Sequence, residues 1–191
     1  MYEICSMSIL IVSATEMEAA PFRSEFPEAS CLITGVGMPM AIFRLTKKLQ
    51  EQNYDVIFQV GIAGTYTNDL HLGEAVVVAK DCFADLGLYK GNSFHTIFDM
   101  GFASLDEFPF SKGWLVNEGL HLFQPKPAMV SAATVNTISE ERQPQSNNKI
   151  KAAASIETME GACLHYVAMQ YGIPFLQIRG ISNVVGERDK S

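Results

Sequence analysis

One pattern constrains this chain more than any other. An apolar run rich in β-branched residues stops at small residues five times, and in three of these a carboxylate or amide stands close behind. SILIVSA (Ser8–Ala14) is followed by Glu16 and Glu18, SCLIT (Ser30–Thr34) by Gly35-Val36-Gly37, and DVIFQV (Asp55–Val60) by Gly61-Ile62-Ala63-Gly64. Ala154–Glu157 leads into Thr158-Met159-Glu160-Gly161, and PFLQIR (Pro174–Arg179) into Gly180-Ile181-Ser182-Asn183. Short apolar runs bounded in this way read as buried strands. Glu74–Ala79 and Lys126–Ala133 add two more. Met40–Gln50 puts Ile42, Phe43, Leu45 and Leu49 near helical spacing with Lys47 and Lys48 outward, and Met159–Gln170 reads as a second helix. Asp81–Lys112 reads as loops with short strands. Ser139–Lys149, polar and holding Pro144, reads as a solvated loop or an interrupted helix. Strands alternating with helices predict an α/β domain with a mostly parallel or mixed sheet. Ligands of such sheets bind beyond the carboxyl ends of the strands, where these small and acidic residues stand.

Composition narrows the partners. The 191 residues suit one domain, and 48% hydrophobic against 18% charged residues indicates a buried core. A formal net charge of −7 argues against nucleic acid, which needs a surplus of Lys and Arg, but leaves room for a small substrate. Cys5, Cys31, Cys82 and Cys163 form no CxxC pair, and the four histidines are scattered, so neither a metal nor another cofactor is expected. No run approaches the ~18–20 apolar residues of a membrane span. The N-terminus carries Glu3 and lacks the basic start of a secretory signal, so a soluble cytoplasmic protein is expected. The chain stops at Ser191, directly after ISNVVGERDKS. The expectation is a single domain, 1–191, that lacks a C-terminal helix over its last strand.

Each motif is bland alone. GVG after a strand is a turn and lacks the third glycine of GxGxxG. Glu160 suits a helix start, Asn183 suits a helix cap, and Glu16 and Glu18 suit the opening of a helix. In order and at these separations, however, SATEMEA, TGVGMPMA, VGIAGT, ETMEGA and RGISNVVGERD resemble the purine nucleoside phosphorylase and nucleosidase superfamily. The resemblance runs from about Ser8 to the end, and ETMEGA followed by PFLQIRGISN is its most specific part. It implies a three-layer α/β domain, a central mixed sheet flanked by helices, acting on a purine nucleoside. Phosphorylases similar to uridine phosphorylase carry Gly-Asp-Pro and an Arg after the first strand. SATEMEA is instead similar to the exit in methylthioadenosine/S-adenosylhomocysteine nucleosidases, and Glu18 falls where those enzymes place the carboxylate that activates water. The adenine-directed relatives carry Asp in an I-S-D motif, where this chain has Asn183. A carboxamide NH₂ only donates, which suits a 6-oxopurine. MEGA combined with ISN.VG.RD resembles the futalosine hydrolases of a menaquinone pathway, which release hypoxanthine from futalosine.

The resemblance implies roles. Glu18 is the general base, Glu160 binds ribose hydroxyls and Asn183 stabilises the departing base. Met159 packs on the sugar, Ile62, Ala63 and Gly64 lie near the water, and Ser182 faces the base. Arg179 orients Glu160 or Glu18, and Val135 belongs to a segment, Ala133–Asn136, that flanks the base. Asp189 is a candidate helper, and Arg44, Lys90 and Arg188 are candidates for the carboxylate at the far end of futalosine. Water and a small nucleoside are the expected partners, with no nucleic acid and no membrane, in a homodimer or higher homo-oligomer. Three alternatives stay open: a methylthioadenosine/S-adenosylhomocysteine nucleosidase, a purine nucleoside phosphorylase, and a non-catalytic nucleoside-binding or truncated chain.

Overall fold

The computed structural model describes residues 7–91, 93–124, 126–138 and 149–186. Strand β1 (Ile9–Ser13) lies parallel between β2 (Ser30–Ile33) and the first half of β3 (Val56–Thr65). Four more strands join β3 in a closed ring. β4 (Ala75–Asp81) runs parallel to β8 (Ala128–Thr134), and β8 runs parallel to β9 (Ile156–Thr158). β9 meets the end of β3 antiparallel, at Gly64 and Thr65. β10 (Phe175–Val184) closes the ring, parallel to β3 and antiparallel to β4. Ala63, Val76, Val78, Ala132, Ile156 and Ile181, drawn from all five of these strands, form one apolar cluster. Outside the ring, β5 (Gly87–Lys90) and β6 (Ser93–Thr96) make a separate hairpin, and β7 (Leu115–Val116) pairs with β4.

The helices are α1 (Glu16–Glu25), α2 (Met38–Glu51), the short α3 (Lys149–Ala152) and α4 (Gly161–Tyr171). Leu45 and Leu49 of α2 and Leu164 and Val167 of α4 share a core with Leu10, Val12, Ile57 and Phe175 of the sheet. These two helices therefore cover one face where β1, β3 and β10 run side by side. The expected mixed α/β sheet is present, and no helix among the described residues is long and apolar enough to cross a membrane.

Two strands are longer than their apolar patterns suggest. β3 and β10 each run for ten residues, so GIAG and GISN lie inside strands rather than beyond them. Their mutual pairing continues to Thr65 and Val184 and carries both chains past the apolar stretch. Asn183 is accordingly a strand residue and not a helix cap. The expected loop at Ser139–Lys149 lies outside the described residues up to position 148, and α3 begins at Lys149.

Candidate active site

The cleft starts where β1 and β9 divide one edge of β3 between them. β1 covers that edge from Val56 to Gln59 and β9 takes it again at Gly64, leaving the intervening backbone unpaired on that side. The Ile62 N–H, stranded in this gap, donates to Glu18 Oε1 at 3.1 Å. Glu18 reaches it from the first turn of α1. Thr15 caps that helix, and its N–H and hydroxyl donate to Glu18 Oε2 at 2.9 and 2.8 Å. This reciprocal capping box is written in the sequence as Thr15-x-x-Glu18. Glu18 thus opens a helix and also faces the cleft, two readings that the sequence set against each other.

Glu160, the N-cap of α4, is 5% exposed, and its Oε1 accepts the Gly37 N–H at 2.7 Å. Gly37, at φ 97°, caps α2, which has no side-chain cap of its own, so the carboxylate occupies the positive end of that helix. The left-handed backbone at Gly37 is where glycine is favoured, which explains the GVG motif. Burial pushes the Glu160 carboxyl above its ordinary pKa; the Gly37 N–H and Arg179 pull it back, and Glu18 pushes it further up.

Arg179 stands within electrostatic reach of both carboxylates. It pairs with Gly61 across β10 and β3, is 1% exposed, and donates from Nη2 to Gln59 Oε1 at 2.9 Å. A methyl group on Gly61 would stand 2.5 Å from Arg179 Nη1 and 2.8 Å from Glu18 Oε1, so both groups converge over a residue without a side chain. Burial lowers the guanidinium pKa, and Glu160, Asp81 and Glu18 hold its charge in place.

A second tier of polar groups lies behind. Asp81 is fully buried, and its Oδ1 accepts from Cys82 N–H and Thr134 Oγ1 at 2.8 and 2.9 Å. Desolvation pushes it to about 6 against these contacts and against Arg179. The Gln177 amide faces Asp81 and lowers that value, although no hydrogen bond of good geometry joins them. Gly161 makes this packing possible, since a methyl there would meet Asp81 Oδ2 at 2.2 Å, Gln177 Nε2 at 2.3 Å and Thr158 Oγ1 at 2.7 Å. Gly161 and the glutamate before it in ETMEGA thus serve two tiers of one polar network.

At the other end, a bulge falls between Ile181 and Asn183 and sets Asn183 opposite Gly64. Simple alternation would turn residue 183 to the side of Ile181, in the apolar ring. The extra residue instead brings it to the side of Ile62 and Gly180, facing the cleft. The single Ser182 Oγ–H is shared between Ala63 O at 3.2 Å and Asn183 Oδ1 at 2.8 Å, and Asn183 Nδ2 donates to Val184 O at 3.1 Å.

These groups surround a cleft of about 640 Å³, within the range of small-molecule sites. Glu18, Ile62, Ala63, Gly64, Met159, Glu160, Ser182 and Asn183 line it. Arg179 sits behind the wall. Val135 is 1% exposed and does not line the cleft, because it shares the face of Ala133, two residues back, and packs with it against Cys82, Ala84, Trp114 and Ala154. Arg44 donates to Ile33 O and Lys90 lies on the β5–β6 hairpin, neither of them in the cleft wall, while Arg188 and Asp189 lie outside the described residues. Sequence reasoning missed Gln59, Asp81, Glu157 and Gln177. All four are polar residues within strands, 6% exposed or less.

The comparisons identify the family. Residues 23–191 match the family model described as the phosphorylase superfamily. A futalosine hydrolase of Thermus thermophilus is 29% identical over 202 aligned positions, covering 95% of this chain and 86% of its own. One from Streptomyces coelicolor is 28% identical over 143 residues, 75% of this chain but only 60% of that enzyme's length. Among solved structures, a 5'-methylthioadenosine/S-adenosylhomocysteine nucleosidase of Helicobacter pylori superposes with a TM-score of 0.75 over 93% of this chain and 85% of its own, at 16% identity. That likeness speaks for the fold, and the family pattern spans most of the sequence. The chain belongs to the phosphorylase superfamily.

Proposed function

We propose that this protein is a purine nucleoside hydrolase of the futalosine type, which splits futalosine into hypoxanthine and dehypoxanthine futalosine. The observation that carries the reading is the tether of Glu18. A carboxylate fixed by Thr15 and by the Ile62 N–H stands at the cleft beside a buried arginine, where it can orient a water and take its proton. N-glycoside cleavage develops oxocarbenium character in the sugar, and the Glu160 carboxylate suits both the ribose hydroxyls and that developing positive charge. Asn183 donates to the departing 6-oxopurine as its charge grows. Met159, in the cleft wall beside Glu160, packs against the sugar.

The futalosine hydrolases among the relatives, and an amide in place of the Asp of adenine-directed enzymes, favour futalosine over methylthioadenosine. The product would feed menaquinone biosynthesis in the cytoplasm. A homo-oligomer suits the apolar Met40 and Phe43 of α2, which stay 45% and 69% exposed. A product assay decides the chemistry. With futalosine, inosine or methylthioadenosine, and with or without phosphate, the protein should release hypoxanthine and a free sugar from futalosine without phosphate. A sugar 1-phosphate, or strict dependence on phosphate, would make it a phosphorylase.

A further inference from the structure

The first turn of α4 is capped from outside the helix. Its N-cap is Glu160, and no side-chain hydrogen bond closes that cap. An N-cap normally lies in the β-region, with its own side chain on the N–H two or three residues further on. Glu160 instead has φ −136° and ψ −5°, and its carboxylate is spent on the Gly37 N–H at 2.7 Å. The first amides of α4 therefore need other acceptors. The Cys163 N–H takes the Glu160 carbonyl at 3.1 Å. The other two are met from the sheet. Gly161 N–H donates to Thr158 Oγ1 at 3.2 Å, and Ala162 N–H to Thr134 Oγ1 at 2.7 Å.

Thr134 of β8 and Thr158 of β9 are paired in register, two residues beyond Ala132 and Ile156 of the apolar ring, and their hydroxyls lie 2.9 Å apart. A slip between Val78 and Lys80 in the pairing of β4 with β8 turns Asp81 to the same face. The Thr134 hydroxyl donates to Asp81 Oδ1 at 2.9 Å. A hydroxyl has one proton and two lone pairs, so Thr134 accepts both the Ala162 N–H and the Thr158 O–H. Thr158 keeps a lone pair for the Gly161 N–H. Every proton in the row runs toward Asp81, and that carboxylate sets the direction of both hydroxyls. Gln59 fixes the same turn from another side, its Nε2 donating to the Glu160 carbonyl at 3.3 Å and its Oε1 accepting from Arg179. Asp81, Thr134 and Thr158 are all buried, so solvent cannot replace a lost acceptor.

We propose that Thr134 is a positioning residue for Glu160: with Asp81 as its terminal acceptor, it takes over the cap of α4 and leaves the N-cap carboxylate to the cleft. The assignment rests on the reading of Glu160 as the carboxylate that meets the ribose. Thr134 does not line the cleft, so it acts through its neighbours. Without its hydroxyl, the Ala162 N–H is left buried and unpaired, and the Thr158 hydroxyl loses the acceptor that orients it. The carboxylate placed to answer is that of Glu160, since an N-cap side chain ordinarily serves these amides. Drawn back onto α4, it leaves Gly37 and the sugar.

The experiment is a double-mutant cycle, read as kcat/KM on the nucleoside that the product assay selects. It compares the wild type, Thr134→Val, Glu160→Ala and the two together, with Thr134→Ser as the variant that keeps the hydroxyl. Thr134→Val keeps the branched shape and should lose about ten- to a hundred-fold, the worth of one hydrogen bond to a charged group. Thr134→Ser should recover most of that loss. Beside Glu160→Ala, Thr134→Val should change kcat/KM by no more than about two-fold, since the side chain it places is gone. An unimpaired Thr134→Val, equal penalties in the two backgrounds, or a Thr134→Ser as impaired as Thr134→Val overturns the role of Thr134 alone. A Glu160→Ala variant as active as the wild type overturns the reading of Glu160 and this assignment with it. If Thr134→Val does not fold, Thr134→Cys takes its place in the cycle, its thiol being only a weak donor and acceptor.

Discussion

Single side chains in this protein hold two jobs at once, and their substitutions separate the jobs. Glu18 caps α1 through Thr15 and faces the cleft through Ile62. Glu18→Gln keeps a carbonyl oxygen for one of these contacts and removes the base. We expect kcat for futalosine hydrolysis to fall by about 10²–10⁴, the usual worth of general acid–base catalysis, while the dissociation constant of an unreactive nucleoside analogue changes by only a few fold. Single-turnover kinetics and calorimetric titration check the two parts, and an unchanged kcat would remove Glu18 from the chemistry. Asn183 offers the second test. Its amide donates without depending on a proton, whereas an aspartic acid presents one O–H and one C=O, the complement of adenine at N7 and the 6-amino group. Asn183→Asp should lose activity on futalosine and gain relative activity on the 6-amino analogue, shifting the ratio of kcat/KM values by about ten- to a hundred-fold. A ratio that stays put would mean that Asn183 does not read the base.

At the scale of elements, what the sequence declared was apolar periodicity, and what it concealed was how the strands share edges. SILIVSA, SCLIT and EAVVVA announce β1, β2 and β4 to within one or two residues, because their burial comes from their own side chains. The second halves of β3 and β10 carry glycines and polar residues in place of that signal, and they are strands only because they pair with each other. The bulge that turns Asn183 into the cleft is invisible for the same reason. The motifs still pointed to Glu18, Glu160 and Asn183, since each motif contains residues that the local backbone requires. Gln59, Asp81, Glu157 and Gln177 gave no such signal, being lone polar residues in strand-like runs whose partners come from remote strands. Gly161 tests whether the α4 start is built around that buried tier. Gly161→Ala would drive a methyl to within 2.2 Å of Asp81 Oδ2 and 2.3 Å of Gln177 Nε2, groups with no solvent to retreat into. We expect a loss of about 1–3 kcal/mol or more in unfolding free energy, measured by urea denaturation with unchanged m-value. An alanine variant as stable as the wild type would show that the second tier yields easily.

The whole molecule carries its site on a sheet with ionisable groups sealed beneath it, and that burial has a consequence for acid stability. Asp81 is pushed up to about 6 by desolvation, against Thr134, the Cys82 amide, Arg179 and Gln177, while an unfolded aspartate titrates near 3.8. The folded chain therefore keeps this proton where the unfolded chain has released it. The stability linked to Asp81 is fully present below about 3.8 and is lost as pH rises through about 6. His165 works in the other direction. Burial lowers it to about 4 from 6.5, against the Leu115 carbonyl at its Nδ1, so the unfolded chain takes up a proton that the folded chain refuses. Its contribution is present above about 6.5 and is lost as pH falls towards 4. Between about pH 4 and 6 the two slopes oppose each other, and the wild type is shielded from the histidine's acid penalty by the aspartate beneath the site. Asp81→Asn removes one slope and leaves the other. Whatever the variant's stability at neutral pH, its melting temperature should fall more steeply than that of the wild type between pH 6 and pH 4, as followed by circular dichroism in matched buffers. Parallel curves for the two proteins across that window would mean that Asp81 does not hold its proton in the folded chain.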